Sequence, residues 1–561
     1  MRKYSIIKFS VLSIGIILAS CTKLDEKLNS TLTNQQTAAA LGANGVQLLL
    51  QAAYNDLAAP FTAQDQIQDL QENSSDAAVV PTRAGDWDDN GDWRTMHQHT
   101  WNADRSHILN VFNNLNKLNF DATNVLGFSP TAAQAAQARF LRAFSLYYLL
   151  DMFGQYPIRN PGENLLNAPD VKTGAEAADF IISELTAAIP DLPASGGPAN
   201  ATQDAGNTLL MKVLLNKGAF ANRATPTFDD ADMNQVITLG NAIINSGRYS
   251  YTANYFDNFN ANNKASTESI FAFPYTVGTG PTTNPYGGIS IQWMMTLHYN
   301  SYNAAAPNAG WNGYSTVADF YNSFGAVTPV TGVSKYNTIG SINNADTIVD
   351  GRLGGRYYIG STDKSGIRPG FLIGQMYDQT GAAQKDRKGN PLIFNPTISD
   401  DLKEIGADLE VKGIRGVKYV PDFSSGTTSF TGQFAGGNWL QLMRYSDVVL
   451  MVAEAMMRKA APDNAGALLL VNGLRTARKA QPMASIVLVN TSNVSDPGTL
   501  LAERGRELWW ENIRRTDLIR FGMYLKPWQY KPADADAKTL LFPIPNQALS
   551  ANPNLKQNEG Y

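Results

Sequence analysis

Cysteine is almost missing from this chain: Cys21 is the only one in 561 residues. No disulfide can therefore form within the chain, and thiol chemistry has a single candidate. Histidine is nearly as scarce, with four in all, and His97, His99 and His107 are the three that lie close together. No His-Glu-x-x-His is present and no cysteine stands near them, so a metal centre is not expected. An excess of either charge is lacking too: 45 basic residues face 49 acidic ones, for a net charge of -4. Such a chain has no overall positive field to draw in a polyanion, which argues against nucleic acid as a partner. Phosphate-binding glycine loops and a Gly-x-Ser-x-Gly nucleophile elbow are also absent. What remains is an ordinary globular composition, 43% hydrophobic and long enough for a large core, with a generous 10% of aromatic residues that suit sugar faces as well as interiors.

The N-terminus is the most specific local signal. Arg2, Lys3 and Lys8 form a basic start, and IIKFSVLSIGIILAS supplies an apolar stretch too short to span a membrane convincingly. Residues 1–20 are expected to be a secretory signal, and Leu18-Ala19-Ser20-Cys21 resembles the lipobox of bacterial lipoproteins. That resemblance implies lipidation of Cys21, with two or three acyl chains giving a stable anchor. The polar segment 21–36 then reads as a flexible tether carrying Lys23, Asp25 and Glu26, which resemble a signal for export to the outer face of the outer membrane.

Residues 37–561 contain no Pro/Ser-rich or charged divider and are expected to form one domain. Ala138, Leu141, Ser145, Tyr148 and Met152 form a small-and-apolar helical stripe that Gly154 and Pro157 end. AEAADFIISELTAAIPDLP, TLLMKVLLNKGAF and DMNQVITLGNAIINSGRY read as further helices, as do YSDVVLMVAEAMMRKA and AGALLLVNGLRTARKA on either side of a turn holding Pro462, Asp463 and Asn464. Their lengths and short connections predict a mainly α fold built on tetratricopeptide-like helical pairs, spanning about 37–250 and 440–525. Between them, about 250–440, lies an insertion rich in Gly, Asn, Thr and Tyr, expected to be irregular with short strands and to carry function.

Five motifs in order resemble the SusD/RagB-like outer-membrane lipoproteins of polysaccharide-utilisation systems: ARFLRAFSLYYLLDMFGQYPI, LMRYSDVVLMVAEAM, LLLVNGLRTARKA, ERGRELWWENIRRTDLIRFG and LLFPIPNQALSANPNLKQNEGY. The resemblance implies a SusD-like fold without catalytic activity or cofactor. It also implies a cell-surface role in the outer membrane, capturing oligosaccharide and passing it to a SusC-like TonB-dependent transporter. Peptide capture by the same fold is the first alternative. A surface glycoside hydrolase is the second; it would need two carboxylates about 5–10 Å apart, a distance no sequence measures.

A glycan offers CH faces to aromatic rings and hydroxyl pairs to Asp, Asn and Arg. PTRAGDWDDNGDW supplies both, with Trp87 as the leading platform and Arg83 and Asp86 beside it. By the resemblance this loop lies on the ligand face, with Asp69 and Asp76 projecting nearby. Trp311 and Tyr314 sit among Gly and Asn in a second candidate stretch, where Ser315 reads as the N-cap of a following helix; Arg368 and Tyr377 are further candidates from the same irregular half. The stretch from Arg504 to Gly522 reads instead as structural: one helix, with Trp509 and Trp510 packing on Ile513 and Glu511 pairing with Arg514 and Arg515.

Overall fold

A computed structural model of the chain describes residues 44–275, 291–301, 310–325, 350–354, 369–376, 382–419 and 437–561. Cys21, Arg368 and Tyr377 lie outside the described residues. The main helices are α1 (Gly45–Asn55), α2 (Ser106–Leu126), α3 (Ala132–Phe153), α4 (Gly174–Ala188), α5 (Gln203–Ala221), α6 (Asp230–Ile244), α7 (Tyr445–Arg458), α8 (Asn464–Ala477), α9 (Leu500–Leu508) and α10 (Arg514–Arg520). Local chemistry explains where they begin and end. Thr131 and Gln134 form a capping box at the start of α3, and Gly154 at φ 69° closes it in the left-handed conformation that favours glycine. Asp229 caps α6, and Asp463 caps α8 through the backbone N–H of Gly466 at 2.8 Å.

From α2 to α6 each helix packs on the next in the chain, the pattern of tandem helical pairs. The succession does not stop at the insertion: α6 packs directly on α7, some two hundred residues later, and α7 on α8. Gly240 sits where these helices close up, since a Cβ added there would lie 2.1 Å from Cγ2 of Val452 and 2.9 Å from Cε of Met211. The helical scaffold is thus continuous in space although interrupted in sequence.

The strands are short: β1 (Thr82–Arg83), β2 (Gln155–Ile158), β3 (Asp170–Thr173), β4 (Ser269–Phe273), β5 (Gly370–Leu372), β6 (Gly374–Gln375), β7 (Ile393–Phe394), β8 (Lys403–Glu404), β9 (Arg415–Val417) and β10 (Leu440–Arg444). They form five two-stranded ladders. β4 and β10 pair antiparallel at the root of the insertion, and β10 runs straight into α7. β1 pairs in parallel with β8, which ties the loop after Arg83 to the insertion.

The Arg504–Gly522 stretch departs from the expected single helix. α9 ends at Leu508, Trp510 and Asn512 take φ of 56° and 64°, and α10 starts at Arg514. The break is held from far along the chain: the Glu72 carboxylate accepts the backbone N–H groups of Trp510 and Ile513 at 3.3 and 3.1 Å, and Trp510 Nε1 donates to the Ala77 carbonyl. Glu511 turns to Lys418 and Arg444 rather than to Arg514 and Arg515. Both indoles are buried, and Arg506 joins a buried ionic network through Glu503 at 2.6 Å. In it Arg352, Arg444 and Arg478 meet Glu268, Asp350, Glu503 and Glu507 at 2.7–3.3 Å, all with side chains at most 1% exposed. Burial penalises each carboxylate, but the surrounding guanidinium charges outweigh it and hold Glu268, Glu503 and Glu507 below the usual carboxylate range.

Candidate functional site

The loop after β1 turns sharply. Arg83 and Asp86 exchange backbone hydrogen bonds, and Ala84 and Trp87 have φ of 57° and 62°. The backbone thereby places Asp86 in solvent while Trp87 folds back, half-buried, against its neighbours. Trp87 Nε1 donates to the Trp311 carbonyl at 2.8 Å, and the ring meets Trp93 edge-on at 5.0 Å. Gly313 makes room for the indole, because a Cβ there would come within 2.1 Å of it. Trp311 is also half-buried, so the Trp87 indole is tied to the main chain of a second partly exposed tryptophan.

Under this surface Arg83 is fully buried. Its guanidinium donates to the carbonyls of Asn312 and Leu409 at 2.6 and 2.7 Å and to Ser315 Oγ at 3.2 Å, joining three loops. Ser315 therefore serves the two arginines Arg83 and Arg415, and does not cap the short helix Ala318–Asn322, whose N-cap is Val317. Three other candidates are also interior groups. Asp69 accepts from His107 and Asn73 at 2.8 and 2.7 Å, Asp76 receives both nitrogens of an Arg514 fork at 2.6 and 2.7 Å, and the Tyr314 hydroxyl donates to the Gln64 carbonyl. With Arg83, Asp69, Asp76 and Tyr314 at most 1% exposed, they support the loops and do not project toward a ligand, contrary to expectation. A buried polar side chain must find its partners inside, and these have done so. His97 and His99 likewise spend their ring nitrogens within the fold, on carbonyls and on Asp534.

Beside Asp86 the structure brings together three residues that no sequence pattern had joined. The Tyr299 hydroxyl donates to Asp86 Oδ2, and the Arg387 guanidinium lies over the Tyr299 ring, its Cζ 3.7 Å from the centroid. Glu410 holds that guanidinium by Nε and Nη2 at 2.7 and 2.6 Å, while His298 lies 3.1 Å from the other carboxylate oxygen. Burial, and next the Arg415 charge, push the His298 imidazolium down to about 4, so the ring is neutral at pH 7. Burial would raise the Glu410 carboxyl, but Arg387 more than offsets this and keeps it below its ordinary value. The exposed surface therefore runs from Trp311 through Trp87 and Asp86 to Tyr299 and Arg387. A tyrosine in HYNSY and an arginine in the turn DRKGN carried no periodicity to mark them.

A tandem helical scaffold that carries an aromatic and polar surface on its loops defines a helix-rich protein of SusD-like architecture. The chain belongs to the SusD family, whose model matches residues 259–561. The starch-binding protein SusD of Bacteroides thetaiotaomicron is 24% identical over 496 residues, covering 85% of this chain and 82% of SusD. Among solved structures, a SusD-like protein from Bacteroides fragilis superposes with a TM-score of 0.67 at 17% identity, covering 92% of this chain and 97% of the other. The surface glycan-binding protein A from Bacteroides thetaiotaomicron, in complex with laminarihexaose, superposes with a TM-score of 0.59 at 16% identity over 92% and 99% of the two chains. At these identities the structural likenesses establish the fold.

Proposed function

We propose that this protein captures glycan at the cell surface without cleaving it, and that the surface around Trp87 and Trp311 makes the contact. The observation that carries this reading is the half-exposed Trp87 indole, held in place by its Nε1 hydrogen bond to the main-chain carbonyl of the half-exposed Trp311, with the exposed Asp86 carboxylate alongside. Aromatic faces bury the CH side of a sugar ring and a fixed carboxylate accepts its hydroxyls, and the Trp87 ring need not be ordered when ligand arrives. The glycan ligands of the relatives, starch for SusD and laminarihexaose for the surface glycan-binding protein, support the same class. Affinity electrophoresis through gels containing starch, laminarin, xylan or mannan checks it. At least one polysaccharide should retard the wild-type protein, and Trp87→Ala should remove that retardation; equal mobility of the two in every gel contradicts the proposal.

The rest of the reading follows the family. Anchored through lipid on Cys21 to the outer membrane and facing outward, the protein hands its cargo to a SusC-like TonB-dependent transporter. Detergent-solubilised membranes should yield the protein and the transporter as one complex on affinity purification; recovery of the protein alone from cross-linked cells counts against the partnership.

A further inference from the structure

The chemistry beside the indoles narrows the kind of glycan, and this step rests on the glycan-binding reading above. We propose that Arg387, stacked on Tyr299 and held by Glu410, forms with Asp86 a polar subsite for hydroxyl groups of neutral sugars, and that Glu410 turns acidic glycans away.

The geometry is that of a bridging site. Arg387 Nη2 stands 4.0 Å from Asp86 Oδ2, and the two side chains remain 47% and 53% exposed. One hydroxyl oxygen placed between them can accept from the guanidinium and donate to the carboxylate, each at an ordinary 2.7–3.2 Å. Nε of Arg387 and one Nη2 hydrogen are spent on Glu410, which leaves the Nη1 hydrogens to serve a second hydroxyl. Stacking on Tyr299 fixes the plane of the fork, and the Tyr299 hydroxyl on Asp86 fixes the acceptor. A donor and an acceptor locked side by side match a hydroxyl, which is both.

Charge then decides between neutral and acidic sugars. A lone exposed arginine would be an anion site, since its fork matches a carboxylate or sulfate. Here that charge is already cancelled by Glu410, a largely buried carboxylate with side chain 6% exposed, and Asp86 adds a negative charge on the open side. Asp86 at 4.0 Å and Glu410 at 2.6 Å set two carboxylates against the one Arg387 guanidinium. A uronate or sulfate arriving at Arg387 meets a committed cation with a carboxylate beside it. Glu410 acts as a positioning and charge-cancelling residue and need not touch the ligand.

Isothermal titration at low ionic strength tests this with two sets of hexamers, malto-, laminari-, cello-, xylo- and manno-oligosaccharides on one side and oligogalacturonate and oligoalginate on the other. The wild-type protein should bind at least one neutral hexamer and neither acidic one. Arg387→Ala and Arg387→Gln should each weaken the neutral ligand about tenfold or more, the loss expected for a hydrogen bond to a charged group. Glu410→Gln should add measurable binding of an acidic hexamer, which a merely structural loss would not produce. Acidic hexamers bound by the wild type as well as neutral ones, or neutral binding unchanged in both Arg387 variants, overturns the inference while leaving glycan capture standing. A wild-type protein that binds no hexamer of either set overturns the glycan reading and the inference together.

Discussion

Trp510 shows how a residue that looks like a ligand platform becomes an interior group. Its indole is 2% exposed, packs edge-on to Trp509 and Tyr314, and donates to the Ala77 carbonyl. Trp510→Ala should cost about 3–5 kcal/mol, the range for a large aromatic removed from a core, as chemical denaturation would read it. A loss below about 1 kcal/mol would mean that the ring is not part of the core. The structural role of the two indoles was legible in RGRELWWENIRRTDLIRFG, but the partners of its charges were not. Glu72 stands 438 residues from Trp510, and Asp76 stands the same distance from Arg514. The same ignorance of distant partners made Asp69, Asp76 and Arg83 look like open loop polar groups when each is buried in a paired state. Tyr299, Arg387 and Glu410 escaped notice for the converse reason: His298 and Glu410 are 112 residues apart, and only the fold makes them neighbours of Arg387.

At the scale of elements, periodicity and caps sufficed. The stripe from Ala138 to Met152 and its stop at Gly154 correspond to α3, and the expected helices of the scaffold correspond to α4 through α8. Helix ends carry their own signals in Thr131, Asp229 and Asp463, so local chemistry reaches the right boundary. It failed between α9 and α10, where a tertiary carboxylate replaces the helical hydrogen bonds across residues 509–513. The contact of α6 with α7 also lay beyond sequence, because nothing in either helix announces a partner across the insertion. Gly240 tests that contact. Alanine favours a helix by about 1 kcal/mol over glycine. Yet Gly240→Ala drives a methyl to 2.1 Å from Val452 and 2.9 Å from Met211. Overpacking of about 1–3 kcal/mol should prevail. Thermal unfolding of the variant should therefore start lower than that of the wild type; an unchanged or raised midpoint would show that α6 and α7 do not close as described.

Across the whole molecule, buried histidines weaken the fold toward acid. His97, His99 and His298 are all pushed down by burial, the last two to about 4, against about 6.5 in an unfolded chain. Between those values the unfolded state binds more protons, so their contribution is present above pH 6.5 and is lost as pH falls through 6.5 toward 4. His107, raised by Asp69 against its burial, and Asp56 and Glu72, both pushed up to about 7 by burial, run the other way and oppose that loss. The slope is at most about 1.4 kcal/mol per pH unit for each titrating histidine. Followed by NMR of the imidazole rings, His99 and His298 should each stay neutral from pH 7 to about pH 5; a ring that takes up its proton above about pH 6 would contradict the buried, neutral assignment. The decisive measurement is isothermal titration of the neutral hexamer set into wild-type protein and into the double variant Trp87→Ala, Trp311→Ala, with circular dichroism to verify that both are folded. Saturable binding by the wild type and none by the folded double variant is the predicted result, and a double variant that binds as tightly as the wild type would contradict it.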